Sequence, residues 1–373
     1  MHQKFPVRIL RKKSAIIFPI ARSEAPAVPI IELFAVQPYM TLNDYVDHDA
    51  FYRKIESLFA HADGLREDRS HPALIAFPED IATFLALAGQ QSLIASAATI
   101  DESFRSIGRA LWRPLLATMA RWRTLSVRQA FFGLTASTTW KIWHHTMSDL
   151  ARRFAMTTVA GSALIPENAR GYDSDQFQAR NKSVYNLSVT YGPDGRSLSM
   201  TRKVNLVPGH EDILDLSSGP LDDAIATATL PGAPSVSIAT AICYDSFTRA
   251  HTASEPHFQS LWPLLDDRGA SIAVVPSANP WPWDDPWPLD QKTPSRLRKH
   301  QWAEESLPAA LAGLTSVRVA MNPHLLASLL DVHFDGQSAI WARRGSAIEC
   351  LAQAPSSHAK PASECVVHTV WQP

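Results

Sequence analysis

Four short, almost uninterrupted apolar runs, at residues 30–36, 72–77, 236–242 and 270–275, set the strongest limit on what this chain can become. Each is six or seven residues long and rich in Ile, Val, Leu, Ala or Phe. The first two are cut off by Gln37-Pro38 and by Pro78. Runs of this kind, without polar alternation, fit strands buried on both faces of a sheet. Between them lie segments of helical spacing. Asn43 or Asp44 can cap a helix running to about Ala62, with Tyr45, Phe51, Ile55, Leu58 and Phe59 near one face. Further strands are expected at residues 157–163, 183–190, 197–202, 316–321, 326–332, 336–342 and 366–370, and further helices at 256–265 and 301–314. Strand and helix in alternation predict an α/β fold with one continuous sheet system.

The chain has 373 residues, 46% of them hydrophobic, enough for a large core. Its 35 basic and 36 acidic side chains nearly cancel, so composition points to neither nucleic acid nor a polyanion. The positive charge is concentrated locally. Residues 1–30 hold six Lys or Arg against one Glu, and residues 101–153 hold nine against three acids. The first segment is read as a basic N-terminal extension, 1–29, ahead of a single domain, 30–373. Three cysteines, Cys243, Cys350 and Cys365, cannot build a disulfide framework and fit a reducing, cytoplasmic setting. No apolar run approaches the ~20 residues of a spanning helix. His144 and His145 are adjacent without metal-ligand spacing, so neither metal nor cofactor is expected.

Residues 101–153 read as helical, with Phe104, Ile107, Leu111, Leu115, Met119 and Trp122 on one face and Arg105, Arg109 and Arg113 on the other. Pro114 is expected to kink that helix. A basic amphipathic helix can pack on the domain, contact a second subunit, restrict a site as a lid or lie in a membrane interface.

Three segments place a reactive side chain at the end of an expected strand, where α/β sheets carry their sites. They are Ala76-Phe77-Pro78-Glu79, Lys203-Val204-Asn205-Leu206-Val207-Pro208-Gly209-His210-Glu211, and Ala241-Ile242-Cys243-Tyr244-Asp245. In this order and spacing they resemble the signature segments of the nitrilase, or carbon-nitrogen hydrolase, superfamily. The likeness extends through Ala160-Gly161-Ser162 and Phe334-Asp335-Gly336-Gln337-Ser338, over most of residues 30–352.

The resemblance implies a four-layer α-β-β-α sandwich, a single domain with a helical insertion at about 101–153, and assembly into a homo-oligomer. It also implies a hydrolase acting through a cysteine thioester. Glu79 would be general base, Lys203 the ammonium that stabilises the oxyanion, Cys243 the nucleophile and Glu211 a supporting glutamate. The Tyr244 amide is the candidate second oxyanion donor. Asp245 is read as structural.

Pro208-Gly209-His210-Glu211 departs from the family, which usually carries an aromatic residue and then Gly before the Glu. The proline-rich loop with Trp281, Trp283 and Trp287 would overhang the site, and Asn279 and Trp281 are candidate substrate contacts. Asn322 and His324 fall where relatives often have residues close to the pocket. The expected substrate is a small carboxamide or N-carbamoyl compound. Nitrile hydrolysis is the near alternative, disfavoured because Tyr244-Asp245 follows the cysteine where nitrile hydrolysers usually have Trp-Glu. Amide-forming N-acyl transfer with peripheral membrane contact is the other.

Overall fold

The computed structural model describes residues 29–373 except Ser254, Gln291 and Lys292. The basic N-terminal extension therefore lies almost wholly outside the described residues. Two sheets face each other across an apolar seam. The first has seven strands, ordered Cys365–Trp371, Ile31–Gln37, Ala73–Ala76, Thr157–Val159, Ala179–Tyr191 and Ala163–Asn168, with Ser197–Arg202 also paired to Ala179–Tyr191. The second has six, ordered Ala347–Gln353, Ala339–Arg344, Val319–Asn322, Ile272–Val274, Ala233–Thr240 and Thr227–Leu230. In each sheet the central three strands are parallel.

The uninterrupted apolar runs are explained by what lies on either side of them. Ile31, Leu33, Ala35, Leu74, Ala76 and Val159 meet Val236, Ile238, Ile272, Val274, Val319 and Met321 between the sheets. On the outer face of the first sheet, Phe34, Val36, Ile75 and Phe77 pack under the helices His48–Leu65 and Val127–Phe154. On the outer face of the second, Ala239, Ala241, Ala273, Val275 and Ala320 pack under Trp262–Asp267 and the 3-10 turn Ala309–Gly313. The layers are thus helix, sheet, sheet, helix, as the sequence resemblance implied. A small third sheet joins Ser277–Ala278, His324–Leu329, Val332–Phe334 and Tyr39–Thr41.

The helical segment differs from its expected form. Instead of one helix kinked at Pro114, it forms Ile100–Ala110, Trp112–Trp122 and Val127–Phe154. Pro114 sits in the first turn of the second helix, where the amide it lacks would have had no intrahelical acceptor. The third helix is part of the layer over the first sheet, burying Trp140, Trp143, Met147 and Leu150. The first two pack more peripherally, with Ile107 and Leu115 against Phe131, Phe132, Leu164 and Val184. Other boundaries moved too. The helices expected at 256–265 and 301–314 are found at Trp262–Asp267 and Arg298–Glu305. The exposed strand Ala347–Gln353 carries no apolar run and was not foreseen. Among the described residues no helix is long and apolar enough to cross a membrane.

One close approach fixes a strand end. Gly161 has φ +66°, and a Cβ there would lie 2.1 Å from the Pro78 carbonyl oxygen. Gly161→Ala combines left-handed strain with a backbone clash and is expected to lower the unfolding free energy by roughly 3 kcal/mol. Urea denaturation measures this, and an unchanged midpoint and slope would contradict it.

Candidate active site

The parallel strands Ala73–Ala76 and Ala233–Thr240 end near one another, and each is followed by a sharp turn that aims a side chain into the seam. After the first, Phe77 donates its amide to the Val159 carbonyl at 2.9 Å, and Asp80, at φ +59°, donates its own to Ser162 Oγ at 2.9 Å. Glu79 is held between these anchors. After the second, the Cys243 amide donates to the Pro276 carbonyl at 2.8 Å, and Cys243 adopts φ +47° as a 3-10 turn, Cys243–Ser246, begins. A non-glycine residue in this conformation costs about 1–2 kcal/mol. The surrounding bonds enforce it and present the thiol beyond the strand. Lys203 follows Ser197–Arg202, its amide donating to the Asn186 carbonyl at 2.9 Å.

These three turns converge. Lys203 Nζ lies 2.7 Å from Glu79 Oε1 and 2.6 Å from Glu211 Oε2, and the lysine is 1% exposed. Asn186 Nδ2 donates to Glu79 Oε1 at 2.8 Å and to Glu211 Oε1 at 3.0 Å. The Ala278 amide donates to Glu79 Oε2 at 3.0 Å. The Cys243 thiol hydrogen-bonds to the Ala278 carbonyl oxygen at 3.6 Å, beside Glu79, whose charge acts on it. Glu211 closes its own turn, accepting from the Val207 amide through Oε2 at 2.9 Å while its amide donates to the Val207 carbonyl. Glu79, Lys203, Glu211 and Cys243 are thus brought to one place.

Electrostatics give each group a distinct state. Burial disfavours the Lys203 ammonium, but the carboxylates of Glu211 and Glu79 outweigh it and hold its pKa well above the ordinary value. Burial raises the Glu79 pKa; Lys203 opposes and Glu211 reinforces that shift. Burial and the Glu79 charge push the Cys243 thiol well up, so it rests as a neutral thiol. An ammonium has three donors. Lys203 commits two to carboxylates, leaving one for a ligand. The Tyr244 amide, next along the chain from Cys243, has no acceptor among the described residues. Asp245 accepts from the amides of Val204 and Asn205 and from Asn205 Nδ2, pinning the chain after Lys203 to the chain after Cys243. That is the structural part expected of it.

The side chains of the expected substrate contacts make bonds within the protein. Asn279 is fully buried, and its side chain is consumed. Its Nδ2 donates to the Trp281 carbonyl at 2.6 Å and the Asp335 carbonyl at 3.1 Å, and its Oδ1 accepts from Arg298 Nε at 2.9 Å. Trp281 is half-buried, bonded through Nε1 to the Pro286 carbonyl and set edge-on to Trp287 at 5.9 Å. Trp283, and not Trp281, shares an apolar cluster with Ile242, Cys243, Tyr244, Phe247 and Trp302. Trp287 stacks on His210, the residue before Glu211, at 5.9 Å. His324 packs against Trp283 and Trp302 at 5.2 and 4.8 Å, with its Nε2 bonded to Asn322 Oδ1. The Tyr244 side chain is turned away from a ligand role: its hydroxyl donates to Glu255 and accepts from the His251 amide.

Sequence reasoning missed Asn186, Arg298 and His251. Asn186 is one polar residue within the strand Ala179–Tyr191, with nothing local to mark it.

No family model and no curated protein matches the sequence. Solved structures do match, over nearly the whole chain. Nit3 of Saccharomyces cerevisiae, a member of branch 10 of the nitrilase superfamily, is 18% identical over 92% of this chain and 91% of its own, with TM-score 0.54. An amidase from Nesterenkonia sp. is 13% identical over 94% and 92%, with TM-score 0.50. A carbon-nitrogen hydrolase from Helicobacter pylori G27 is 15% identical over 91% and 89%, with TM-score 0.50. The chain has the nitrilase-superfamily fold.

Burial holds His251 and His324 neutral. Loss of water, with the Arg298 charge next in effect, lowers their pKa values to about 2 and about 3. In the unfolded chain both would protonate near the ordinary ~6.5, so the folded state binds fewer protons below that pH. Stability should be full above about pH 6.5 and fall on acidification, by at most about 1.4 kcal/mol per pH unit for each histidine. Urea titrations at pH 7, 6 and 5 with His251→Phe should show a shallower loss than the native chain, and equal slopes would refute this.

Proposed function

We propose that the chain is a hydrolase of a non-peptide C–N bond, of amidase type, with Cys243 as nucleophile. The observation that carries this reading is the Lys203 ammonium clamped between Glu79 and Glu211 beside a neutral, buried thiol. A thiol in that state needs a base in contact, and a carboxylate with a raised pKa is suited to accept its proton. The mainly structural alternative, a buried ion cluster that only stabilises the fold, gives no account of the strained turn at Cys243 or of the unused Tyr244 amide.

In the proposed reaction Glu79 takes the Cys243 proton as sulfur attacks the amide carbon. The carbonyl oxygen becomes an oxyanion, received by the third Lys203 donor and the Tyr244 amide. Glu79 then protonates the departing nitrogen, the C–N bond breaks, and a Cys243 thioester remains. Water, deprotonated by Glu79, attacks the thioester, and the returning proton restores the thiol. The sum is amide plus water giving carboxylic acid plus ammonia or amine.

The test is ammonia or amine release across small carboxamides, N-carbamoyl amino acids and nitriles. Turnover on amides or carbamoyl compounds is expected, with Cys243→Ala lowering kcat at least about 10³-fold. Turnover confined to nitriles would replace amidase by nitrilase. No turnover on any of the three classes would sink the hydrolase reading.

One observation favours a second reading, capture of the thioester by an amine near a membrane. Trp112 and Leu116 on the helix Trp112–Trp122, Leu125 in the connection after it and Val127 at the start of the next helix are exposed, Leu125 at 96%, in a segment that also carries Arg109, Arg113, Arg121, Arg123 and Arg128. If that reading holds, anionic liposomes at low salt should sediment the protein and Leu116→Glu with Leu125→Glu should abolish this. Failure to sediment removes its support.

A further inference from the structure

Beside the Cys243 cluster lies a buried arginine with no carboxylate partner. Arg298 is 3% exposed. Its Nε donates to Asn279 Oδ1 at 2.9 Å and one Nη1 hydrogen to Gln301 Oε1 at 2.5 Å. Among the described residues no carboxylate oxygen lies within 4.0 Å of its guanidinium. Nη2 and the second Nη1 hydrogen have no acceptor among the described residues. The acid nearest in the network, Glu305, is already bound by Arg249, Arg296 and Gln301. Buried guanidinium groups are ordinarily paired, because desolvating the charge alone is costly.

The walls around this guanidinium repeat the pattern. It lies 4.0 Å from the Trp287 ring centre, 5.5 Å from Trp302 and 5.7 Å from Phe247. His251 sits 5.8 Å from Trp287 and 4.6 Å from Phe247, and among the described residues neither of its ring nitrogens has a partner. Trp287 Nε1 and Trp302 Nε1 are likewise buried without a partner. Several buried polar groups without a partner among the described residues therefore belong to the side chains packed around this guanidinium. Its distance from the chemistry is short in the chain of contacts. Arg298 binds Asn279, the residue after Ala278, whose carbonyl faces Cys243 Sγ and whose amide binds Glu79. Cys243 also shares its apolar cluster with Phe247 and Trp302. Burial lowers the Arg298 pKa to about 10. The guanidinium is thus charged at neutral pH.

We propose that Arg298, with His251 and the indole N–H groups of Trp287 and Trp302 around it, is the subsite that binds a carboxylate carried by the substrate. A bidentate carboxylate matches the unused edge of the guanidinium, and the aromatic walls exclude water from the pair. This deepens the amidase reading by naming the substrate class, an amide that also bears a carboxylate.

The test separates the two ideas by measuring binding without turnover. In full-length Cys243→Ala, NMR titration gives Kd values for the monoamides of the three- to six-carbon diacids against their neutral diamides. The same is done for N-acetylglycine and N-acetyl-β-alanine against their amides, so that the two series place the carboxylate on the acyl or the amine side. At least one anionic probe should bind 10-fold or more tighter than its neutral match. That preference should fall below about twofold with Arg298→Met added, at unchanged circular dichroism, and to an intermediate value with Arg298→Lys. If no anionic probe is preferred, or if the preference survives the loss of Arg298, the subsite is wrong. The first comparison needs no change at Arg298, so it decides even if Arg298→Met does not fold. A preference found here in a chain that turns over no amide would retain the subsite and refute the hydrolase reading. Amide turnover with no anionic preference would do the reverse.

Discussion

A lysine ammonium with almost no access to water, held 2.7 and 2.6 Å from two glutamates, is the interaction on which the rest of this structure depends. Buried ion pairs are weak contributors to stability, since desolvation consumes most of the attraction. Breaking one from a single side, by contrast, strands a charge and is strongly destabilising. The cluster here is therefore better understood as a specification than as glue. It fixes where Glu79 must stand, keeps Lys203 charged, and ties the turn containing Glu211 to the strand containing Asn186. Ala278 joins Glu79 and Cys243, its amide donating to the Glu79 carboxylate and its carbonyl accepting from the Cys243 thiol.

The sandwich explains how residues so far apart in sequence meet. Glu79 leaves the first sheet and Cys243 the second, each at the carboxyl end of a central parallel strand. The apolar seam between the sheets sets the separation of those strand ends. Gly161 allows the Ala160-Gly161-Ser162 chain to press on Pro78, and Asp245 clamps the Lys203 segment to the Cys243 turn. Over this floor, Trp283, Trp302 and His324 form an aromatic wall, while Trp287 bridges His210 and Arg298.

What could be read from the sequence was what has a local signature. Segments ending strands at Pro78-Glu79, at Lys203 and at Cys243 carried the resemblance that implied both the layered architecture and the convergence of those groups, because a strand end is a predictable address. Glu211 was implied by the same resemblance, eight positions after Lys203. The residues that escaped notice act through long-range geometry. Asn186 looks like any polar residue in a half-buried strand, and Arg298 opens a helix whose sequence, Arg-Lys-His-Gln-Trp-Ala-Glu-Glu, reads as exposed. Which tryptophan of a proline-rich loop turns inward is equally hidden, since such a loop has no fixed period; Trp281 was favoured where Trp283 packs by Cys243. Pro114 marked a break, yet the chain restarts a helix there instead of bending through it.

The central claim is that Glu79 serves a thioester on Cys243. It is met most directly by intact-mass measurement on Glu79→Gln incubated with substrate amides, followed by peptide mapping. A glutamine cannot deprotonate water, so hydrolysis of the thioester should be slowed more than its formation is. The account predicts an added mass equal to the acyl group, located on the peptide containing Cys243 and absent from those containing Cys350 and Cys365. An enzyme that turns over these amides while Cys243 stays unmodified in Glu79→Gln, or that carries the acyl group on another residue, would contradict it.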